Sequence, residues 1–312
     1  MREKLIRSLS NIKRKHQGGI LTIGHFDGVH LGHQQLVRAA VNQARKEHVP
    51  AIVVTFEPHA VEFFAPDKVT VPRLTRLREK YCALIECGAD YVLVLPFNQK
   101  LASLSASEFV DEILVNHLHP RHIIVGDDFQ FGRGRGGHFS LLQAMGKALG
   151  FTAEALPTVI LDGERVSSTR VREALLKGDH VLVKLLLGRP YSMLGKIVSG
   201  DQRGRQLGFP TANIYLHRKL TPVSGVYAVF MHGIYDHPLK GVANVGVRPT
   251  VDGTRTLLEV HLLDFNQDIY GRQVKIEFCQ KLRDEVRFAN LDLLKQQIAK
   301  DVNAARDYFN QL

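Results

Sequence analysis

The sequence predicts an α/β domain built on a doubly wound parallel sheet, followed by an all-β domain closed by a helix. Three observations carry this. Up to residue 187, short apolar runs alternate with stretches of helical periodicity. Past Gly188-Arg189-Pro190 the period changes to short alternating runs separated by Gly, Pro and Asp, with no helical pattern between them. The last segment, 291–309, sets Leu291, Leu294, Ile298, Val302 and Ala305 at helical spacing. A chain of 312 residues exceeds what one core usually serves, so domains of 1–187 and 188–312 are expected.

In the first domain, strands are expected at 20–23, 51–55, 91–95, 122–125 and 152–156. These runs are short, continuous and rich in β-branched residues, as strands buried on both faces are. Between them lie helices at 32–46, at 73–87 with Gly88 as its stop, and a helix opened by Ser105 with Glu108 as a capping box. Helices at 171–177 and 179–187 follow. Past the boundary, runs at 191–198, 225–231, 240–245, 257–263 and 273–278 read as strands of an antiparallel barrel or sandwich.

Composition narrows the class. Hydrophobic residues make up 45%, which suits a packed globular chain, and the longest apolar runs are far too short to span a bilayer. The basic N-terminus lacks the apolar core of a secretory signal. Cys82, Cys87 and Cys279 show no C-x-x-C spacing, which points to a reducing, cytoplasmic setting. The net charge of +10 is scattered, with no basic run beyond residues 13–16, which favours pockets for anionic small molecules over nucleic acid. The expected partners are small molecules, with no nucleic acid and no membrane, for a monomer or weak homo-oligomer. With no tryptophan, a bound aromatic ring must stack on Phe, Tyr or His.

Residues 24–33, GHFDGVHLGH, follow the first expected strand and open a helix. His30 and His33 are three apart and are expected on one face of its first turn, with Gly32 allowing close approach. A helix N-terminus offers free N–H groups and partial positive charge, so the run suits a phosphate. A zinc pair would need further ligands at recognisable spacing. In a doubly wound sheet, ligands gather beyond the carboxyl ends of the strands. Four polar segments should meet there: 24–33, Phe56-Glu57-Pro58-His59, Gly126-Asp127-Asp128-Phe129, and Val166-Ser167-Ser168-Thr169-Arg170.

The second domain opens on GDQRGRQLGFPTAN, residues 200–213. Its three glycines and two arginines suit a loop that closes over phosphates. Thr211 and Asn213 alternate in an extended segment and offer hard oxygen ligands of the kind Mg²⁺ takes. There is no G-K-[ST], so this is not a Walker A loop. On spacing alone, a polar surface turn leading into a strand accounts for the segment equally well.

The run F-D-G-V-H-x-G-H resembles the nucleotide motif of the nucleotidylyltransferase superfamily, in the form found in bacterial FAD synthetases. GFPTAN resembles the magnesium and ATP motif of riboflavin kinases. Further matches are GVANVGVRPT at 241–250, LEVHLLDF at 258–265 and LRDE at 282–285 with Phe288. Nearly the whole chain thus resembles the bifunctional riboflavin kinase/FAD synthetase family of bacteria. The resemblance implies a Rossmann-like nucleotidylyltransferase domain, then a riboflavin kinase β-barrel. Riboflavin would be phosphorylated by ATP to FMN, and FMN adenylylated by a second ATP to FAD and pyrophosphate, with Mg²⁺.

The same resemblance implies roles. Glu259 would be the base for the riboflavin hydroxyl; its face, shared with Leu257 and His261, is a candidate interior face of the barrel. Thr211 and Asn213 would hold Mg²⁺, and Gly200, Arg203, Gly204, Arg205 and Gly208 would cover ATP. Asn244 and Arg283 would meet the flavin, Arg283 from a flap. In the first domain His30 and His33 would donate to ATP phosphates, framed by Gly24, Phe26, Asp27, Gly28 and Gly32. Ser168, Thr169 and Arg170 would hold the β- and γ-phosphates, assisted by Arg172. Phe129 and Phe131 are candidates for packing on isoalloxazine, Asp127 for ribose, metal or flavin, and His59 as a further donor on the flavin side. One position departs from the family: His25 stands where a small polar residue such as Asn is common. A third imidazole there is expected to make adenylylation more pH-sensitive than the kinase step. A chain with only its kinase half active is opposed by intact His30, Gly32, His33, Ser168 and Arg170. A nucleic-acid-binding barrel would leave GFPTAN without a purpose.

Overall fold

The computed structural model describes residues 2–65, 71–199, 208–216, 218, 220–250 and 253–312. Contacts divide the chain into two compact units, Met1–Thr70 with Thr75–Ser167, and Val71–Leu74 with Ser168–Leu312. The division thus falls at 167/168, and the last two helices before residue 188 belong by packing to the second unit.

The first unit is a six-stranded parallel sheet. Its strands are β1 (Leu5–Arg7), β2 (Ile20–Ile23), β3 (Ala51–Glu57), β4 (Tyr91–Pro96), β5 (His122–Gly126) and, past the ribbon β6 (Gln130–Phe131) with β7 (Gly137–His138), β8 (Thr152–Leu156). The order β1-β4-β3-β2-β5-β8 makes β2 the pivot. The chain steps outward from β2 to β3 and β4, then returns to the other side of β2 for β5 and β8. That reversal is a topological switch point, the place where open α/β sheets bind ligands. Leu21, Ile23, Ile52, Val54, Leu93, Leu95, Ile123 and Val125 fill one face and Val53, Val92 and Val94 the other. Burial on both faces explains why these strands read as unbroken apolar runs.

Three local expectations are corrected. The basic N-terminus contributes β1, which pairs in parallel with β4; a three-residue strand carries too little pattern to be seen. The helix expected from 73 begins only at Leu77 and runs to Glu86. Thr75 is withheld from it because its amide and hydroxyl bond to Asp27 Oδ1, at 2.9 and 3.1 Å. Glu79 instead caps at Arg76, accepting from its amide at 2.6 Å. The helix expected from 171 begins earlier, at Ser168. The Ser105–Glu108 capping box is present, and the helix it opens widens into a π-helical stretch over Phe109–Val115.

The second unit is a closed barrel, in the order β11-β12-β15-β14-β13-β16. Between β8 and the barrel come the ribbon β9 (Ile160–Leu161) with β10 (Glu164–Arg165), which belongs to the first unit, and the helices Ser168–Lys177 and His180–Leu187 of the second. The barrel strands are β11 (Ser192–Val198), β12 (Ala212–Tyr215), β13 (Gly225–His232), β14 (Leu239–Thr250), β15 (Gly253–Leu262) and β16 (Gln273–Arg283). Closure decides the barrel over the sandwich and leaves no unpaired edge. Tyr227 and Phe278 are fully buried and meet edge to face at 5.3 Å. The terminal helix Leu291–Asn310 is capped by Asn290 and covers Val226, Ala228 and Val242 with Ala305 and Phe309. Leu291 itself is 67% exposed, so the apolar stripe starts a turn later than its spacing suggested. Arg283 and Asp301 tie β16 to this helix through two hydrogen bonds, at 2.9 and 2.8 Å.

His180, at the start of its helix, meets the Tyr227 ring at 5.4 Å. Burial lowers its pKa to about 4, with Lys281 adding to the shift and Asp179 and the Phe278 backbone opposing it. An unfolded chain therefore takes up this proton first as pH falls. Stability is intact above pH 6.5 and is lost as pH drops from 6.5 toward 4, by about 3 kcal/mol from this ring. Urea midpoints for the second unit across that range should show the slope, and His180→Leu should flatten it.

Candidate active sites

The loop after β2 lies at the switch point and forms one wall of a cavity of about 1070 Å³ within the first unit. That volume exceeds the roughly 300–1,000 Å³ usual for one small ligand. Its polar lining comprises Gly24, His25, His30, Gly32, His33 and Arg165. Ring contacts running through Phe64, Phe97, Phe56, Phe109, Phe131 and Phe129 make its aromatic end, which meets the polar part where Phe56 lies against His25. The ends of β2, β3, β5 and β8 all contribute; of the four polar segments expected to meet, the fourth gives the lining only Val166.

The loop is strained and firmly held. Phe26 and Val29 adopt positive φ of 50° and 44°, which is rare for a β-branched residue, and Gly28 lies at 82°. Both Phe26 and Val29 are fully buried. Gly28 N–H donates to the Thr75 hydroxyl at 2.9 Å, and Asp27, 4% exposed, accepts from Thr75. Asp27 and Gly28 are not among the residues that line the cavity. They clamp the loop from beneath. Gly24 and Phe26 do line it, and a Cβ on Gly24 would come within 3.3 Å of the Phe26 ring.

His30 is not in the first helical turn but is the N-cap of the helix Leu31–Glu47. Its Nδ1 accepts the His33 amide at 3.4 Å. With Nδ1 an acceptor, the neutral ring carries its proton on Nε2 and has a donor to offer. The His33 ring stacks on it at 3.7 Å. A Cβ on Gly32 would fall 3.3 Å from the His30 ring, so glycine is what lets the imidazole lie there. His33 Nδ1 is buried and finds no hydrogen-bond partner among the described residues. Burial, aided by His30, Lys80, His25 and Arg165, keeps the His33 pKa well below 6.5. His25 falls to about 3, again through burial first, with His59, Lys80 and Arg135 adding and Asp27 opposing.

His25 is therefore neutral from pH 5.5 to 8. This overturns the expectation that His25 would add positive charge and pH sensitivity in that range. The pH profile of the adenylyl-transfer step should keep its shape in His25→Asn, measured as FAD formation from supplied FMN.

The remaining predicted residues fall into place unevenly. Phe129 and Phe131 stack at 5.2 Å and line the aromatic end, Phe131 also packing in the core. Asp127 lines the cavity, but its carboxylate accepts from the Thr158 amide and hydroxyl, at 2.9 and 2.7 Å, and these bonds lower its pKa. His59 caps the helix Ala60–Phe64 and stacks on His25 at 4.2 Å. Ser168, Thr169 and Arg170 form the first turn of a helix in the second unit, and Arg172 donates to the Pro72 carbonyl there at 2.8 Å. Sequence reasoning missed Arg165, whose guanidinium pairs with Asp128, and the aromatic residues Phe64 and Phe97. A lone Arg in a ribbon and scattered phenylalanines carry no spacing signal.

On the barrel, Leu258 and Val260 are fully buried and face inward. Glu259 therefore lies on the opposite, half-exposed face, which corrects the candidate interior placement. Strand alternation gives the core to the apolar set 258, 260 and 262, and the Glu259 face shares none of it. Register adds what the sequence could not show. Asn213 of β12 is directly opposite Glu259 of β15, and Glu259 is directly opposite Asn244 of β14. Opposed residues stand on one face with Cβ atoms about 5 Å apart. The three predicted side chains, from three distant segments, thus form one row. His261, two residues along on the same face, donates from Nδ1 to the Pro210 carbonyl at 2.9 Å and meets the Phe209 ring at 5.5 Å, fastening the GFPTAN segment to β15. Thr211 precedes β12. Gly208 has φ of 87°, a conformation that favours glycine. Gly200, Arg203, Gly204 and Arg205 lie outside the described residues. Arg283 is held by Asp301, and its flap role gains no support from that placement.

A phosphate-suited loop at a sheet's switch point in one unit, and a carboxylate flanked by carboxamides on a closed barrel in the other, define a two-module nucleotide-dependent transferase. The family model described as FAD synthetase matches residues 12–170, and that described as riboflavin kinase matches 187–309. The chain is 49% identical over 307 residues to the bifunctional riboflavin kinase/FMN adenylyltransferase of Escherichia coli (strain K12), covering 98% of each. It is 51% identical over 305 residues to the protein of that name from Pseudomonas fluorescens, covering 97% of each. The chain belongs to the bifunctional riboflavin kinase/FMN adenylyltransferase family. A crystal structure described as a macrolide-efflux protein from Streptococcus pneumoniae shares the fold, with a TM-score of 0.82, 32% identity, and coverage of 97% of this chain and 99% of that one. Among the described residues, no helix here is long and apolar enough to cross a membrane.

Proposed function

We propose that the barrel unit transfers the γ-phosphoryl group of ATP to riboflavin, and that the first unit joins the resulting FMN to the AMP moiety of a second ATP, giving FAD and pyrophosphate. The observation that supports this best is that each unit carries its own chemical set: the His30–His33 pair over the two-ended cavity, and Glu259 between Asn213 and Asn244.

In the kinase step the terminal ribityl hydroxyl of riboflavin attacks the γ-phosphorus, and Glu259 takes its proton. The oxygen donors Thr211 and Asn213 fit Mg²⁺, which keeps waters and takes few protein ligands. The ion would neutralise phosphate charge beside Glu259. Asn244, on the far side of Glu259, orients the flavin hydroxyls. Gly200, Arg203, Gly204, Arg205 and Gly208 cover the nucleotide.

In the second step the FMN phosphate, already anionic, attacks the α-phosphorus, so no strong base is required. Catalysis rests on aligning two anions and stabilising the charge that develops. The His30 Nε2–H and the His33 ring supply donors without adding charge of their own. The aromatic end receives isoalloxazine, with Phe129 and Phe131 beside it. The setting is cytoplasmic, in accord with the three free thiols. Incubating the protein with riboflavin, ATP and Mg²⁺ and separating the flavins tests the reading. FMN followed by FAD is expected; neither product, or FMN alone, overturns it in whole or in its second half.

A further inference from the structure

His25 lies in the loop after β2, and its surroundings are unusual. The ring stacks on His59 at 4.2 Å with 26° between planes, and Phe56 lies against it at 5.4 Å. Its backbone carbonyl accepts the Thr55 hydroxyl at 3.2 Å, which anchors the residue at the end of β2. The imidazole lines the polar end of the cavity, yet its Nδ1 is buried and has no hydrogen-bond partner among the described residues. A buried Nδ1 with no acceptor beside it disfavours the proton there, so the neutral ring carries its donor on Nε2.

We infer that the His25 imidazole donates a hydrogen bond to a phosphate of the ATP bound in the first unit, and that His59 acts through it as a positioning residue, holding the ring by stacking. The inference rests on the adenylyl-transfer reading above. The groups around His25, Lys80, Arg135 and His59 with Asp27 as the opposing carboxylate, are predominantly cationic. Burial keeps the imidazole neutral, Lys80 and Arg135 attract an anion, and a phosphate offers only acceptors, so a neutral ring meets it as donor. His25 shares the segment 24–33 with His30 and His33, which assigns its bond to the nucleotide on the adenylyl-transfer reading. A metal does not fit: His25 faces His59, and His30 faces His33, through ring planes rather than nitrogens. No group of three or more His, Cys, Asp or Glu suited to a metal occurs among the described residues.

The test compares the wild type with His25→Phe, which keeps a ring to stack but has no donor, with His25→Asn, which restores a donor, and with His59→Ala, which removes the stack. FAD formation from supplied FMN gives KM for ATP and for FMN separately, and equilibrium dialysis gives ATP binding without turnover. FMN formation from riboflavin reports that the chain is folded. His25→Phe should raise KM and Kd for ATP about tenfold, with KM for FMN changed less than about twofold. His25→Asn should recover most of that loss, and His59→Ala should shift ATP in the same direction by a smaller factor. If His25→Phe leaves ATP binding within about twofold, or moves KM for FMN instead, the inference is overturned. A wild type that binds ATP but makes no FAD overturns the adenylyl-transfer reading alone, and the dialysis arm still decides the role of His25.

Discussion

His30→Asn should lower FAD formation from supplied FMN by at least about a hundredfold, with FMN formation from riboflavin unaltered. Losing one preorganised donor at a developing anionic centre typically costs 10²–10³-fold. Asn is chosen because its carboxamide oxygen can still accept the His33 amide and cap the helix Leu31–Glu47. The substitution therefore separates the chemical role of the ring from its structural one. His33 would lose its stacking partner, at 3.7 Å, and some of the loss would come through that ring. Equal damage to both reactions would mean that the site is not confined to the first unit. An effect of twofold or less would mean that the cavity's donors lie elsewhere.

Glu259→Gln should abolish most FMN formation, by roughly 10²–10⁴-fold, the range for removing a positioned general base. FAD formation from supplied FMN should be preserved. The side chain lies on the half-exposed face of β15, opposite Leu258 and Val260, so the amide disturbs no core contact. It also remains able to meet Asn213 and Asn244 across the row. A variant that kept near-normal kinase rates would leave Glu259 as a spectator and move the base to another group. Both rates and a melting curve on the same preparation are sufficient.

Much of the architecture was legible because two patterns are strong. Strands buried on both faces spell unbroken apolar runs, and the five main strands of the first sheet were found with ends within two residues. Period-2 alternation marked the barrel. The helix from residue 73 was misjudged because the force that unwinds its start is a bond from Thr75 to Asp27, 48 residues away. Glu259 shows the reverse failure. Its neighbours Leu258, Val260 and Leu262 already name the core face, which leaves the charged residue on the other. The Asn213–Glu259–Asn244 row depends on strand register, which no local pattern records. The neutrality of His25 depends on what is packed around it, so residue type alone pointed the wrong way.

The capping role of His30 also bears on how this enzyme can be improved. At a helix N-cap, Ser, Asp and Asn satisfy the backbone with less bulk and commonly raise thermal tolerance. A laboratory selection that rewards only heat resistance would be drawn toward those residues at position 30, and each success would leave a sturdier protein that stops at FMN. Stabilising libraries for this chain should hold residue 30 constant, or screen every survivor for FAD.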